Sequence, residues 1–134
     1  AGYPLMHPGW VWDSVNGHIR GGTINSMSQS GNWAAHGSTI NMSACTGQNI
    51  RYAWSQSYNL ESGYDYGSAW VLNTAATGWE KVYGEVTGSG GWAVQYWNIP
   101  DAYKNYVNLL FMVRTDGSVL NDGYRIDWVT VQRY

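Results

Sequence analysis

Between Asn49 and Tyr58 the side chains alternate: Ile50, Tyr52, Trp54 and Tyr58 fall on one phase, Asn49, Arg51, Ser55 and Ser57 on the other. A period of two marks a β-strand with one face turned to a core, because a helix would scatter the same residues around its axis. Val107, Leu109, Phe111 and Val113 repeat the pattern further along. Turn-forming clusters punctuate the chain at Asn16-Gly17, Glu61-Ser62-Gly63, Thr87-Gly88-Ser89-Gly90-Gly91, Asp116-Gly117-Ser118 and Asn121-Asp122-Gly123. Between them, strands are expected over residues 10–15, 18–25, 32–36, 39–42, 49–58, 64–73, 79–85, 92–99, 106–115 and 124–133, with a polar corner and one helical turn at 100–105. Short strands at this spacing predict an all-β, antiparallel two-sheet sandwich of Greek-key type.

Two segments depart from simple alternation. In the last strand Tyr124, Ile126 and Trp128 share one phase and Val129 and Val131 the other, so a bulge is expected near Asp127 to bring both sets to one core. Residues 1–9 carry Pro4 and Pro8 among Tyr3, Leu5 and Met6, which predicts an extended apolar N-terminal arm ahead of a single domain at 10–134.

The chain of 134 residues has nine Trp and eleven Tyr beside one Phe, more large rings than a sandwich of this size buries. Some rings must therefore reach the surface, where aromatic clusters mark contact sites. The seven Lys and Arg are scattered and the net charge is −2, which argues against nucleic acid as a partner. No apolar run approaches the roughly 20 residues of a membrane helix. A start at Ala1 without Met reads either as a secreted chain after signal removal or as an excised domain. Low charge with high Ser, Thr, Asn and Gly content leans towards an extracellular, secreted chain. Cys45 is alone and reads as a small core residue, and Asn41-Met42-Ser43 is a glycosylation sequon.

Catalytic patterns are missing. His7, His18 and His36 lie in separate segments with no partner at ligand spacing, and there is no Gly-x-Ser-x-Gly elbow. Glu80 and Glu85 are an odd number of residues apart on one strand, which directs them to opposite faces. The expectation is a protein that is not an enzyme.

Three stretches in order resemble a known family: Glu61-Ser62-Gly63-Tyr64-Asp65-Tyr66-Gly67, then Thr115-Asp116-Gly117-Ser118-Val119, then Asp122-Gly123-Tyr124-Arg125-Ile126-Asp127. This succession resembles the jelly-roll modules related to meprin-type (MAM) domains of immune inhibitor A-type secreted metallopeptidases. The resemblance implies a jelly roll, and structural calcium held by loop carboxylates. Trp128 stands where the family pattern has a second Asp. Glu61, Asp65, Asp116, Asp122 and Asp127 are the candidate ligands. Two chemistries fit them: calcium completed by turn carbonyls, or turn capping by Asp116 and Asp122.

Two functions follow. The first is a non-catalytic extracellular building block that self-associates in a fibre or surface assembly, its arm (Tyr3, Pro4, Leu5, Met6) adding to the open edge of a neighbouring copy. The alternative is a carbohydrate-binding accessory module of a secreted hydrolase. In both, Tyr64, Tyr66, Trp70, Trp79, Tyr96 and Tyr103 are the candidate contact rings, being off the core phase or in turns.

Overall fold

A computed structural model of the chain describes residues 5–6, 10–13, 18–21, 31–116 and 121–134. Ten strands are defined: β1 (Leu5–Met6), β2 (Trp10–Asp13), β3 (His18–Gly21), β4 (Gly31–His36), β5 (Ile50–Asn59), β6 (Tyr66–Leu72), β7 (Trp79–Val86), β8 (Ser89–Asn98), β9 (Leu109–Thr115) and β10 (Gly123–Arg133). Among the described residues they form two antiparallel five-stranded sheets, β1-β4-β9-β6-β7 and β2-β3-β10-β5-β8. The fold is an all-β jelly-roll sandwich. Among the described residues, no helix is long and apolar enough to cross a membrane.

The core lies between the sheets, where the alternating phases meet. Ile50, Tyr52 and Trp54 of β5 pack with Leu109, Phe111 and Val113 of β9, Ala69 and Val71 of β6, and Tyr124 and Ile126 of β10. Trp54 meets Phe111 edge-on at 5.7 Å, and Phe111 meets Tyr124 at 6.2 Å. Such tilted pairs contribute beyond their buried area. Trp10 Nε1 donates to the carbonyl of Trp33 at 2.7 Å, tying β2 to β4 across the sandwich.

The bulge falls where the parity change requires it, but Trp128 and Val131, expected to turn to the core, are exposed. Ile126 pairs with Gln56 and Val129 with Trp54, so β10 spends one extra residue at Asp127–Trp128. β8 carries a similar irregularity between its Gly90 and Ala93 pairings, opposite Tyr58 and Gln56.

Residues 39–42 form no strand. Ile40 makes a single bridge to Val107, and the chain then enters a 3-10 turn at Ser43–Cys45. The corner after Pro100 does hold one such turn, Asp101–Tyr103. Cys45 is half-buried, and Asn41 is exposed with its Oδ1 accepting from the Ser43 amide. The Asn16-Gly17 turn, the Gly117-Ser118-Val119 stretch, Tyr3 and Pro4 lie outside the described residues.

Leu5 and Met6 pair with His36 and Ala35 of β4, at the edge of their own sheet. The edge pairing expected with a neighbouring copy is therefore made within the chain over these two residues.

Candidate functional site

Residues paired directly across an antiparallel ladder share a face, so the register of the second sheet lists what its outer side presents. β5 contributes Arg51, Ala53, Ser55 and Ser57. Their partners on β8 are Asn98, Tyr96 and Val94, with Trp92 one step beyond Ala93. Their partners on β10 are Gln132, Thr130 and Arg125, and the bulge adds Trp128. The middle strand thus carries small residues while both flanks carry tall ones.

The tall side chains include four of the exposed rings among the described residues. Trp92 is 47% exposed, Tyr96 51%, Trp128 40% and Tyr134 48%, whereas Ala53 and Ser57 beneath them are fully covered. Arginines hold the rings in place. Arg125, on β10, reaches over β5 to put its guanidinium 5.4 Å from the Trp92 ring centre, which accounts for the burial of Ser57 below it. The Arg51 guanidinium lies 4.1 Å from the Tyr96 ring and 5.1 Å from that of Tyr134. Trp92 and Tyr96, four residues apart on one strand, stand about 13 Å apart along the face.

A cleft of about 300 Å³ opens at the Tyr134 end of this face, lined by Gly47, Gln48, Asn49, Asn98, Pro100, Asp101 and Tyr134 among others. Lys104 organises it. Its buried Nζ donates to the Cys45 and Gln48 carbonyls at 2.9 and 2.7 Å and to Asp101 Oδ1 at 2.5 Å, so the two lining loops are clamped together. That bond, with the Gly47 amide donating to the same carboxylate, holds Asp101 below the usual aspartate range. Amides, a carboxylate and a ring edge around a concave space suit a hydroxyl-rich ligand.

The expected contact rings do not converge. Only Tyr96 lies on this face. Tyr66 and Trp70 lie on β6 in the other sheet, under Arg114 and Lys81 respectively, and Trp70 Nε1 donates to Ser68 Oγ. Trp79 packs against His36 at 5.5 Å. Tyr103 meets Trp97 edge-on and donates to Glu80 Oε2 at 2.7 Å. Tyr64 is exposed in the turn after Glu61. The face instead brings together Trp92, Trp128, Tyr134 and Arg51, none of which was among the expected contact rings. The spacing of residues 92, 94, 96 and 98 was the available signal, because it places one apolar or amide side chain after another on a single face.

Of the five candidate metal ligands, the fold gathers three. Carboxylate oxygens of Glu61, Asp65 and Asp116 lie within 4.8 Å of one another. Asp122 instead faces Arg125 at 4.0 Å, and Asp127 is exposed on the β10 bulge. Asp65 is buried; its Oδ1 accepts from the Asp116 amide at 3.2 Å, while its Oδ2 has no hydrogen-bond partner. Burial raises its pKa, and the Asp116 and Glu61 charges push the same way. A buried orphan oxygen beside two carboxylates fits a hard divalent cation.

No protein-family model matches the sequence, and no curated protein matches it. The structure is similar to a family 35 carbohydrate-binding module from Paenibacillus barcinonensis, with 18% identity and TM-score 0.52 over 98% of this chain and 93% of that one. It is also similar to a family 61 carbohydrate-binding module, TmCBM61, solved in complex with β-1,4-galactotriose, with 11% identity and TM-score 0.58 over 93% of this chain and 81% of that one. These likenesses show the fold. They also correct the resemblance to meprin-type modules, since both of these structures are carbohydrate-binding modules that share the jelly-roll fold. The physical reason is that the quoted motifs encode strand ends and turns: Gly123 takes φ +86° at the start of β10 and Tyr124 fills the core. Such devices recur wherever a jelly roll needs them.

Proposed function

We propose that this chain is a non-catalytic carbohydrate-binding module acting outside the cell, with the outer face of the β2-β3-β10-β5-β8 sheet as its glycan platform. One observation carries the reading. Trp92, Val94 and Tyr96 stand in a row on one exposed face, braced by Arg125 and Arg51, beside a cleft lined by amides. Flat rings stack on the apolar faces of sugars, while Asn49, Asn98 and Gln48 supply hydrogen bonds to hydroxyls. The likeness to two carbohydrate-binding modules supports the same reading.

This is the second of the two functions expected from the sequence, and the findings support it better than self-association. The arm's Leu5 and Met6 are engaged by β4 of the same chain. Tyr64, Tyr66, Trp70, Trp79 and Tyr103 play no part in the platform. Glu61, Asp65 and Asp116 are the residues that would hold a structural cation, and their hard oxygen ligands would suit calcium.

Affinity electrophoresis against a panel of soluble polysaccharides, including β-1,4-galactan and xylan, tests the reading. Retardation by at least one, abolished in the Trp92→Ala/Tyr96→Ala double variant, is the expected result. Binding undiminished in that variant would overturn the assignment of the site.

A further inference from the structure

Among the cationic side chains, Lys104 is held by Asp101, Arg114 by Glu85 at 3.0 Å, Arg125 faces Asp122, and Lys81 stands over the Trp70 ring on the other sheet. Arg133 donates to the amide oxygen of Gln48 at 2.8 Å. Arg51 differs. Its Nε donates to Gln132 Oε1 at 3.1 Å, and two tyrosine rings flank its guanidinium plane. Among the described residues no carboxylate pairs with it, and its two Nη groups have no hydrogen-bond partner. It lies opposite Asn98 in the ladder and against Tyr134, both of which line the cleft.

We infer that Arg51 is the specificity-determining residue of the glycan platform, and that it selects sugars carrying an acidic group, a carboxylate or a sulfate ester. The inference rests on the carbohydrate-binding reading and adds the ligand's charge to it. A planar guanidinium offers a carboxylate or sulfate two parallel N–H donors, which a neutral sugar does not need. Here the fork is held in advance by Gln132, Tyr96 and Tyr134, so little side-chain freedom is lost when the acid docks. Arg125 places a second guanidinium on the same face, with Arg20 of β3 opposite it in the ladder. The one carboxylate in the cleft lining, Asp101, is already engaged by Lys104 and the Gly47 amide. An acidic sugar beside Arg51 therefore meets a guanidinium rather than a carboxylate with unspent charge.

Three probes test this by titration calorimetry at low and at moderate salt: polygalacturonate, the same polymer fully methyl-esterified, and a sulfated galactan. Esterification removes the charge and keeps the backbone. The expected result is at least a tenfold preference for one of the two acidic polymers over the ester, weakened by salt. Arg51→Gln should bring that ratio close to one, and Arg51→Lys, which keeps the charge but not the fork, should leave an intermediate ratio. The polymer bound more tightly identifies the acid as carboxylate or sulfate. Equal affinity for polygalacturonate, its ester and the sulfated galactan in the intact protein would overturn the inference. So would an acidic preference that survives in a folded Arg51→Gln variant. Tight binding of neutral galactan alone sinks the charge selection but leaves the carbohydrate-binding reading standing, whereas binding to no polysaccharide sinks both.

Discussion

The hydroxyl of Tyr124 donates to the side-chain oxygen of Gln56 at 2.6 Å in the middle of the core. The same oxygen accepts from Trp54 Nε1 at 2.9 Å, and the Gln56 amide nitrogen donates to the Tyr83 hydroxyl at 2.8 Å. One glutamine thus satisfies the polar ends of three rings from β5, β7 and β10. It allows the interior to be built from Trp and Tyr, which a purely aliphatic filling would leave with unpaired donors. Burial drives the Tyr124 pKa well above its ordinary value, which favours the neutral hydroxyl that donates to Gln56.

Replacing Gln56 with Leu should therefore cost far more than its volume suggests. Two buried donors, Trp54 Nε1 and Tyr124 OH, would lose their acceptor, at roughly 1–3 kcal/mol each. A loss of about 3 kcal/mol in urea unfolding is expected, and a change below about 1 kcal/mol would show the knot to be dispensable.

Gly67 is a second fixed point. A Cβ there would sit 2.9 Å from ring carbons of Tyr124, whose fully buried ring has nowhere to move. Gly67→Ala should destabilise the fold by about 2 kcal/mol through overpacking. Gly91→Ala, where nothing lies within 4 Å, is the matched control and should be close to neutral on steric grounds.

On the glycan platform, truncating Tyr96 or Trp92 to Ala should weaken polysaccharide binding by about 2 kcal/mol, roughly thirtyfold, the usual scale for an aromatic anchor. Trp70→Ala, on the other sheet, should leave affinity within about a factor of two, well under the 1.4 kcal/mol of a tenfold change. Calorimetric titration of the three variants against the polymer bound by the intact protein decides this. Equal losses in all three would mean that the outer face is not the site.

The acidic cluster predicts a coupled metal and pH response. Asp65 has a raised pKa in the folded chain because burial disfavours its charge. In chelator, as pH rises through the ordinary aspartate value of 3.8, the unfolded chain releases a proton that the folded chain retains. The contribution of Asp65 to stability is therefore greatest at acid pH, declines between 3.8 and the raised value, and is level above it. Calcium should offset this cost by pairing the ionised carboxylate, so added calcium should raise the melting temperature at neutral pH. Asp65→Asn should abolish the calcium response and flatten this part of the pH profile. A melting temperature indifferent to both calcium and chelator would remove the site.

Much of the architecture was legible from residues alone. Alternation at 50, 52 and 54 and at 107, 109, 111 and 113 identified core phases that the structure buries. The reversal of phase after Ile126 required the bulge found at Asp127–Trp128. Less legible was the site. Trp70 and Tyr96 look alike in sequence, each an off-core ring in a short strand, yet they stand on outward faces of different sheets. Glu61 and Asp65 approach Asp116 only because β6 and β9 are neighbours in one sheet.

Periodicity belongs to a few consecutive residues, so the sequence by itself determined the β class, the position of most strands and the surplus of rings that must reach the surface. Which rings share a surface depends on strand order. Tyr96 joins Arg51 and Tyr134 because β5 lies between β8 and β10, partners drawn from distant parts of the chain. That order is chosen by burying every apolar phase at once, a property of the whole fold that no local pattern carries.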